Sequence, residues 1–172
     1  MVQAEATVSA MISDLIGYDP AKATGVFTFG GTGTTLYGVK IGIDKAIPDA
    51  MENGVGSNGV LIASKQSHYC RLNVAGWLGL GEKNVVTIPT NLSNDIRVDQ
   101  LEAAARQAIE DGKRIVAIVV TMGTTDAFGV DDIETVVKVR DQLVEEYSLD
   151  YTPHVHADAV IGWAWSVFND YD

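Results

Sequence analysis

The sequence has 172 residues, of which 47% are apolar and 20% charged, so it is long and apolar enough to form the core of one domain. A formal net charge of −11 argues against nonspecific nucleic-acid binding and against docking on an anionic membrane. No apolar run predicts a membrane span, and the acidic start is unlike a signal peptide. The single cysteine, Cys70, excludes an intrachain disulfide and favours a reducing compartment such as the cytoplasm.

Four short apolar segments predict β-strands, at residues 59–63, 84–88, 114–121 and 153–158. The third is continuously apolar and β-branched, as expected for a strand covered on both faces. Helices are predicted at 32–46, at 69–80, from a capping box at Asp99 to Gly112, and from Asp132 onward. The alternation predicts an α/β fold with a mostly parallel sheet, in which ligands bind beyond the carboxyl ends of the strands.

The first candidate site is the glycine-rich segment 30–35, which precedes a predicted helix. Glycines let the backbone approach an anion, and the N–H groups and dipole of a helix N-terminus favour phosphate. Leu36 stands where the dinucleotide-binding pattern has its third glycine, and no Walker-type Gly-Lys-Ser/Thr follows. A phosphate site and a flexible turn both remain open at this point.

Polar residues also follow the first and third predicted strands. His68 could stack on a planar cofactor or transfer a proton there, and a purely structural role is the alternative. The Thr-Met-Gly-Thr-Thr segment at 121–125 could hydrogen-bond a ligand, and an ordinary turn is the alternative. Cys70 is either a nucleophile or a small buried residue.

The fourth predicted strand carries His154, His156 and Asp158 on one face, because side chains alternate along a strand. The carboxylate could pair with a protonated ring nitrogen, or the three side chains could bind a metal. The hydrolase motif that opens in this way, that of the metallo-β-lactamases, requires a further histidine. Ala159 and Val160 stand at the next positions, so the pattern favours the ring contact.

Together these segments resemble the group II pyridoxal-phosphate (PLP) decarboxylases, of aspartate-aminotransferase fold type I. The motifs that carry the resemblance stand in the family's order: 25–32 (GVFTFGGT), 67–68 (SH), 79–81 (GLG), 120–125 (VTMGTT) with Gly129 and Asp131, and 156–159 (HADA). The resemblance implies a partial PLP-transferase large domain, with a mostly parallel sheet flanked by helices. It further implies PLP as cofactor and decarboxylation of an L-amino acid as the reaction of the parent enzyme.

The resemblance implies cofactor-binding roles for several residues. Gly31 and Thr32 would hold the PLP phosphate. Thr125, or its neighbour Thr124, would contact the polar edge of the pyridine ring or steady the aspartate. Val160 falls where the family has a smaller residue, usually alanine, against the ring face.

Two residues would take catalytic roles. His68 would stack on the ring and lie near the substrate carboxylate. Asp158 would pair with the ring nitrogen and keep it protonated, so that the ring can accept electrons when carbon dioxide departs.

The family's Schiff-base lysine lies beyond the aspartate strand, and none of the lysines in this chain stands in that motif. We therefore expect residues 1–172 to form an incomplete large domain, without the C-terminal strands and the small domain, and inactive alone. We also expect a homo-oligomer, or a second chain that supplies the lysine-bearing part. The alternatives are another fold-type I carbon–carbon lyase, similar to sphingosine-phosphate lyase, and a noncatalytic PLP-binding or assembly subunit.

Overall fold

The computed structural model describes residues 2–168 and contains a single four-stranded sheet in that range. The strands are β1 (Gly59–Ser64), β2 (Val85–Ile88), β3 (Arg114–Thr121) and β4 (His154–Asp158). The helices are α1 (Val2–Leu15), α2 (Gly31–Ala46), α3 (Ala50–Asn53), α4 (Cys70–Trp77), α5 (Val98–Glu110) and α6 (Ile133–Glu146). Two 3-10 turns, Glu82–Asn84 and Gly162–Val167, complete the described elements.

All neighbouring strands are parallel, in the order β2-β1-β3-β4. The predicted α/β fold with a mostly parallel sheet is therefore confirmed. Because the strands are parallel, their carboxyl ends meet at one edge of the sheet. Thr121 and Asp158, the last residues of β3 and β4, are direct partners in the register. No helix in residues 2–168 is long and apolar enough to cross a membrane.

The sheet is covered on both faces, and β1 and β3 are its two inner strands. On one face α5 and α6 pack against the strands through a core that includes Leu101, Leu143 and Ile118. On the other face α2 and α4 form a second core that includes Ile43 and Val116. β3 contributes to both cores, which explains its continuously apolar sequence.

Two glycines allow α2 to lie close to the sheet. A Cβ at Gly42 would meet the backbone carbonyl of Val116 in β3, and a Cβ at Gly38 would meet the ring of His156 in β4. The N-terminus of α2 is thereby held next to the carboxyl ends of β3 and β4. Glycine has a low helix propensity, but Gly38 and Gly42 are needed here because the helix lies too close to the sheet for a side chain.

The structure corrects the predicted helix boundaries in two places. The capping box at Asp99 is wrong, because the helix begins at Val98, after Arg97. Arg97 donates to both carboxylate oxygens of Asp99, which ties up the side chain that would have capped the helix. The helix predicted at 69–80 is shorter, since α4 ends at Trp77. The cap at Asp132 is confirmed by its bond from the Thr135 N–H, at 3.0 Å.

We expect Gly42→Ala to lower the free energy of unfolding by about 1–3 kcal/mol, since the new methyl group overlaps the Val116 carbonyl. Alanine normally stabilises a helix interior relative to glycine by about 1 kcal/mol, so the sign is diagnostic. The matched control is Gly76→Ala in α4, where nothing lies within 4 Å of the new Cβ. Urea unfolding followed by circular dichroism should show a lower free energy of unfolding for Gly42→Ala and a higher one for Gly76→Ala. Stabilisation by Gly42→Ala would contradict this packing.

Candidate active site

A cavity of about 360 Å³ lies at the carboxyl edge of the sheet, next to the N-terminus of α2. It brings together all six predicted site residues, which come from four separate segments of the chain: Gly31, Thr32, His68, Thr125, Asp158 and Val160. Four further residues complete its lining: Cys70, Thr121, Gly123 and Ile161. Its volume lies within the usual range of ligand sites, about 300–1,000 Å³.

The N-terminus of α2 opens onto this cavity without a side-chain cap. Gly30 precedes the helix at φ 121°, a backbone conformation that favours glycine, and offers no side-chain hydrogen bond. The first helical N–H with a backbone acceptor is that of Thr34, which donates to the Gly30 carbonyl at 3.1 Å. Within residues 2–168, the N–H groups of Gly31, Thr32 and Gly33 thus remain for an anion.

Val160 lines the cavity next to this helix terminus. A Cβ added to Gly31 would lie 2.9 Å from a methyl carbon of Val160, so the space between them is already narrow. A side chain at position 31 would fill this space between the helix terminus and Val160. The glycine therefore preserves access for a ligand.

Hydrogen bonds to its backbone and to the imidazole ring fix the turn that carries His68. The Arg71 guanidinium donates to the carbonyls of Ser67 and His68. The N–H of Cys70 donates to His68 Nδ1 at 3.2 Å. Because Nδ1 accepts this bond, a neutral imidazole carries its proton on Nε2. The ring also lies against Tyr69, with centroids 4.1 Å apart and planes at 33°.

The wall after β3 is a tight, internally bonded turn. The N–H groups of Gly123 and Thr124 both donate to the Gly129 carbonyl, and Thr124 Oγ1 accepts from the Gly129 N–H at 2.9 Å. Thr124 is buried with its oxygen occupied, whereas Thr125 lines the cavity. Of the two threonines considered from the sequence, Thr125 is thus the one in position to meet a ligand.

A buried carboxylate holds this turn against the sheet. Asp131 accepts from the N–H of Thr121 at 2.7 Å and from the N–H of Ile96 at 2.6 Å. Burial raises the pKa of Asp131, and these two N–H groups oppose that shift. Asp131 therefore positions the end of β3 and does not line the cavity.

On β4, Asp158 lines the cavity, while His156 packs against Gly38 of α2 and His154 lies further from the cavity on the same face. Burial lowers the pKa of His156, opposed by the charge of Asp158. Burial, reinforced by the charges of Lys45, His156 and Arg140, lowers the pKa of His154 to about 4. Neither histidine lines the cavity, and residues 2–168 contain no cluster of three or more His, Cys, Asp or Glu that could hold a metal.

Cys70 and Ile161 are cavity residues that the sequence does not reveal. The Cys70 thiol donates to Thr35 Oγ1 at 3.8 Å, and burial raises its pKa, which disfavours the nucleophilic thiolate. Ile161 packs over Gly123, whose Cβ would lie 3.1 Å from it. Small and apolar residues occur in the same sequence patterns whether they lie in a core or in a cavity wall.

The site therefore combines a helix terminus suited to phosphate with a carboxylate, an imidazole and hydroxyl groups around one cavity. These donor and acceptor types suit a planar cofactor that carries a phosphate. The fold and site define an α/β protein with a candidate cofactor site at the carboxyl edge of its sheet.

The chain belongs to the pyridoxal-dependent decarboxylase family, whose conserved domain matches residues 1–168. It is 32% identical over 171 residues to L-2,4-diaminobutyrate decarboxylase of Acinetobacter baumannii, covering 91% of this chain and 32% of that protein. It is 28% identical over 160 residues to human acidic amino acid decarboxylase, covering 92% of this chain and 29% of that protein. The chain thus spans about a third of the length of these relatives.

Among solved structures, the chain is similar to the glutamate decarboxylase domain of diaminobutyrate-pyruvate transaminase and L-2,4-diaminobutyrate decarboxylase from Vibrio parahaemolyticus. The TM-score is 0.84 at 28% identity, over 98% of this chain and 36% of that one. The predicted family and its fold are therefore confirmed.

We expect acid to destabilise the chain through His154. The unfolded residue binds a proton near pH 6.5, whereas the folded one resists protonation until about pH 4. The stability that its neutral form contributes above pH 6.5 is therefore lost as the pH falls from 6.5 toward 4. The free energy of unfolding of His154→Gln, measured by urea titration across this range, should fall less steeply than that of the unaltered chain. Parallel curves would contradict the half-buried, neutral state of His154.

Proposed function

We propose that this chain supplies the cofactor-holding part of a PLP-dependent amino-acid decarboxylase. The observation that carries the proposal is the single cavity into which six residues from four distant segments converge. Family membership supports the cofactor, and the relatives' names support an amino-acid substrate. Because the chain spans only about a third of the length of these relatives, decarboxylation by the whole enzyme is also a proposal.

The residues present fit PLP. The uncapped terminus of α2, with Gly31 and Thr32, would hold the phosphate, because its N–H groups have no acceptor among the described residues. The carboxylate of Asp158 would accept a hydrogen bond from the protonated ring nitrogen. Val160 and His68 would lie against the ring, and Thr125 would meet its polar edge.

Bound PLP supplies an electron sink that accepts the electron pair left when carbon dioxide departs. Asp158 would serve this chemistry by keeping the ring nitrogen protonated. His68, fixed by Arg71 and by the Cys70 N–H, would present Nε2–H to the substrate carboxylate or the ring face. The apolar side chains of Val160 and Ile161 would limit water at the reacting atoms.

Further chain would complete this site, and we propose that it includes the lysine that carries the cofactor. We take residues 1–172 as part of one PLP-binding large domain on this account. Within residues 2–168, β4 has no strand on its outer side, and the aromatic residues after it, Trp163, Trp165 and Phe168, are about half exposed or more. An unpaired strand edge beside exposed aromatic rings is suited to covering by protein. We propose that a homo-oligomer or a second chain provides this cover.

The cytoplasm is the proposed location. The chain has one cysteine, which is buried and unpaired with any other, so nothing in the described fold depends on an oxidising compartment.

The function is tested by removing the carboxylate that would meet the ring. Asp158→Asn keeps the shape of the side chain but loses its charge, and should weaken PLP binding by about 10- to 100-fold. Asp126→Asn, an equivalent charge change at an exposed residue outside the cavity lining, is the control and should leave binding unchanged. Equilibrium dialysis against PLP gives the dissociation constants. Equal constants for all three proteins would contradict the proposed role of Asp158.

A further inference from the structure

Three buried hydroxyl groups form a chain that leads from the interior to the cavity. Ser64 Oγ lies 3.2 Å from Ser67 Oγ, which lies 2.9 Å from Thr121 Oγ1. Ser64 is fully buried, Ser67 and Thr121 are nearly so, and Thr121 lines the cavity. The chain joins the ends of β1 and β3 beneath the turn that carries His68.

The direction of donation in this chain follows from counting protons. Three hydroxyl protons serve two hydroxyl–hydroxyl bonds, so one proton is left over. Ser64 Oγ already accepts from the Ser67 N–H at 3.0 Å, and within residues 2–168 its only possible acceptor is Ser67 Oγ. If Ser64 did not donate to Ser67, a buried O–H would have no partner, which is costly. Ser64 therefore donates to Ser67. The buried Ser67 hydroxyl then has Thr121 Oγ1 as its one remaining acceptor within residues 2–168, so Ser67 donates to Thr121.

The hydroxyl proton left without an acceptor is that of Thr121, and the Thr121 side chain is held in a fixed position. The N–H and carbonyl of Thr121 are both bonded to Asp131, at 2.7 and 3.0 Å, and a β-branched side chain has few rotamers. Its Oγ1 has no hydrogen-bond partner other than Ser67 within the described part of the chain. Thr121 also stands directly opposite Asp158 in the β3–β4 register.

We propose that the Thr121 hydroxyl is a further ligand-binding group, which donates a hydrogen bond to an acceptor on the edge of the aromatic ring held beside Asp158. The assignment rests on the proposed PLP site and adds a contact to it. Donation from Ser67 polarises the Thr121 hydroxyl and strengthens its own donation into the cavity. The ligand class is a phosphorylated pyridine with an acceptor oxygen on its ring.

The experiment compares two ligands on the same proteins by isothermal titration calorimetry. The first is 4′-deoxypyridoxine 5′-phosphate, which has the ring and phosphate but no aldehyde that would react with surface lysines. The second is inorganic phosphate, which occupies the α2 terminus alone. Thr121→Val should weaken binding of the ring ligand by about 3- to 10-fold, the effect of one hydrogen bond, and leave phosphate binding unchanged.

Two further variants separate the donor from the packing. Thr121→Ser retains the hydroxyl and should bind the ring ligand within about twofold of the unaltered chain, because the lost methyl makes no hydrogen bond. Thr87→Val, at an exposed position in β2 outside the cavity, makes the same change of side chain and should affect neither ligand.

Each outcome decides the assignment. Equal weakening of both ligands by Thr121→Val would show a structural role and overturn it, as would unchanged binding of the ring ligand. Loss of ring-ligand affinity in Thr121→Ser would overturn the role of the hydroxyl. If the unaltered chain binds neither ligand, the proposed function itself fails and the Thr121 contact fails with it.

Discussion

The close packing of α2 against β3 and β4 is the constraint on which the site depends. Gly42 lets the helix approach the backbone of β3, and Gly38 receives the ring of His156 from β4. The helix terminus and Asp158 are thereby held at one edge of the sheet, although more than 100 residues separate them in sequence. A phosphate and a ring nitrogen on one ligand could then meet both groups, because the distance between the groups is set by rigid elements.

Buried polar contacts give the loops around the cavity the same rigidity. Asp131 ties the end of β3 to Ile96, and the Ser64–Ser67–Thr121 hydroxyls tie β1 to β3. Asp131, Ser64 and Ser67 are buried and hydrogen-bonded within the protein, so removing one partner would leave another buried polar group unsatisfied. The cavity wall is therefore stabilised by bonds that lie behind the residues facing the ligand.

Much of this arrangement follows from the sequence. β3 is predicted at its observed bounds because a continuous run of β-branched apolar residues favours a buried strand. Asp132 caps α6 as its position before the apolar stripe indicates. The family motifs point to all six cavity residues that were expected. Asp99 fails as a cap because Arg97, two residues away, competes for its carboxylate.

Other features could not be read from the sequence. The bond between Ser67 and Thr121 joins residues 54 positions apart, and no local pattern announces such a pair. Cys70 and Ile161 line the cavity, yet in sequence they are indistinguishable from core residues. The structure is needed wherever a role depends on which distant segments meet.

The central claim is that the α2 terminus and the carboxyl edge of the sheet hold PLP by its phosphate. Phosphorus-31 NMR of PLP titrated with this chain tests it most directly, because a free phosphate changes ionisation at about pH 6. We predict one bound resonance, saturating at one PLP per chain, whose chemical shift does not change with pH through that range. A resonance that titrates like free PLP, or no bound resonance, would contradict the account, since the phosphate would then lie in solvent.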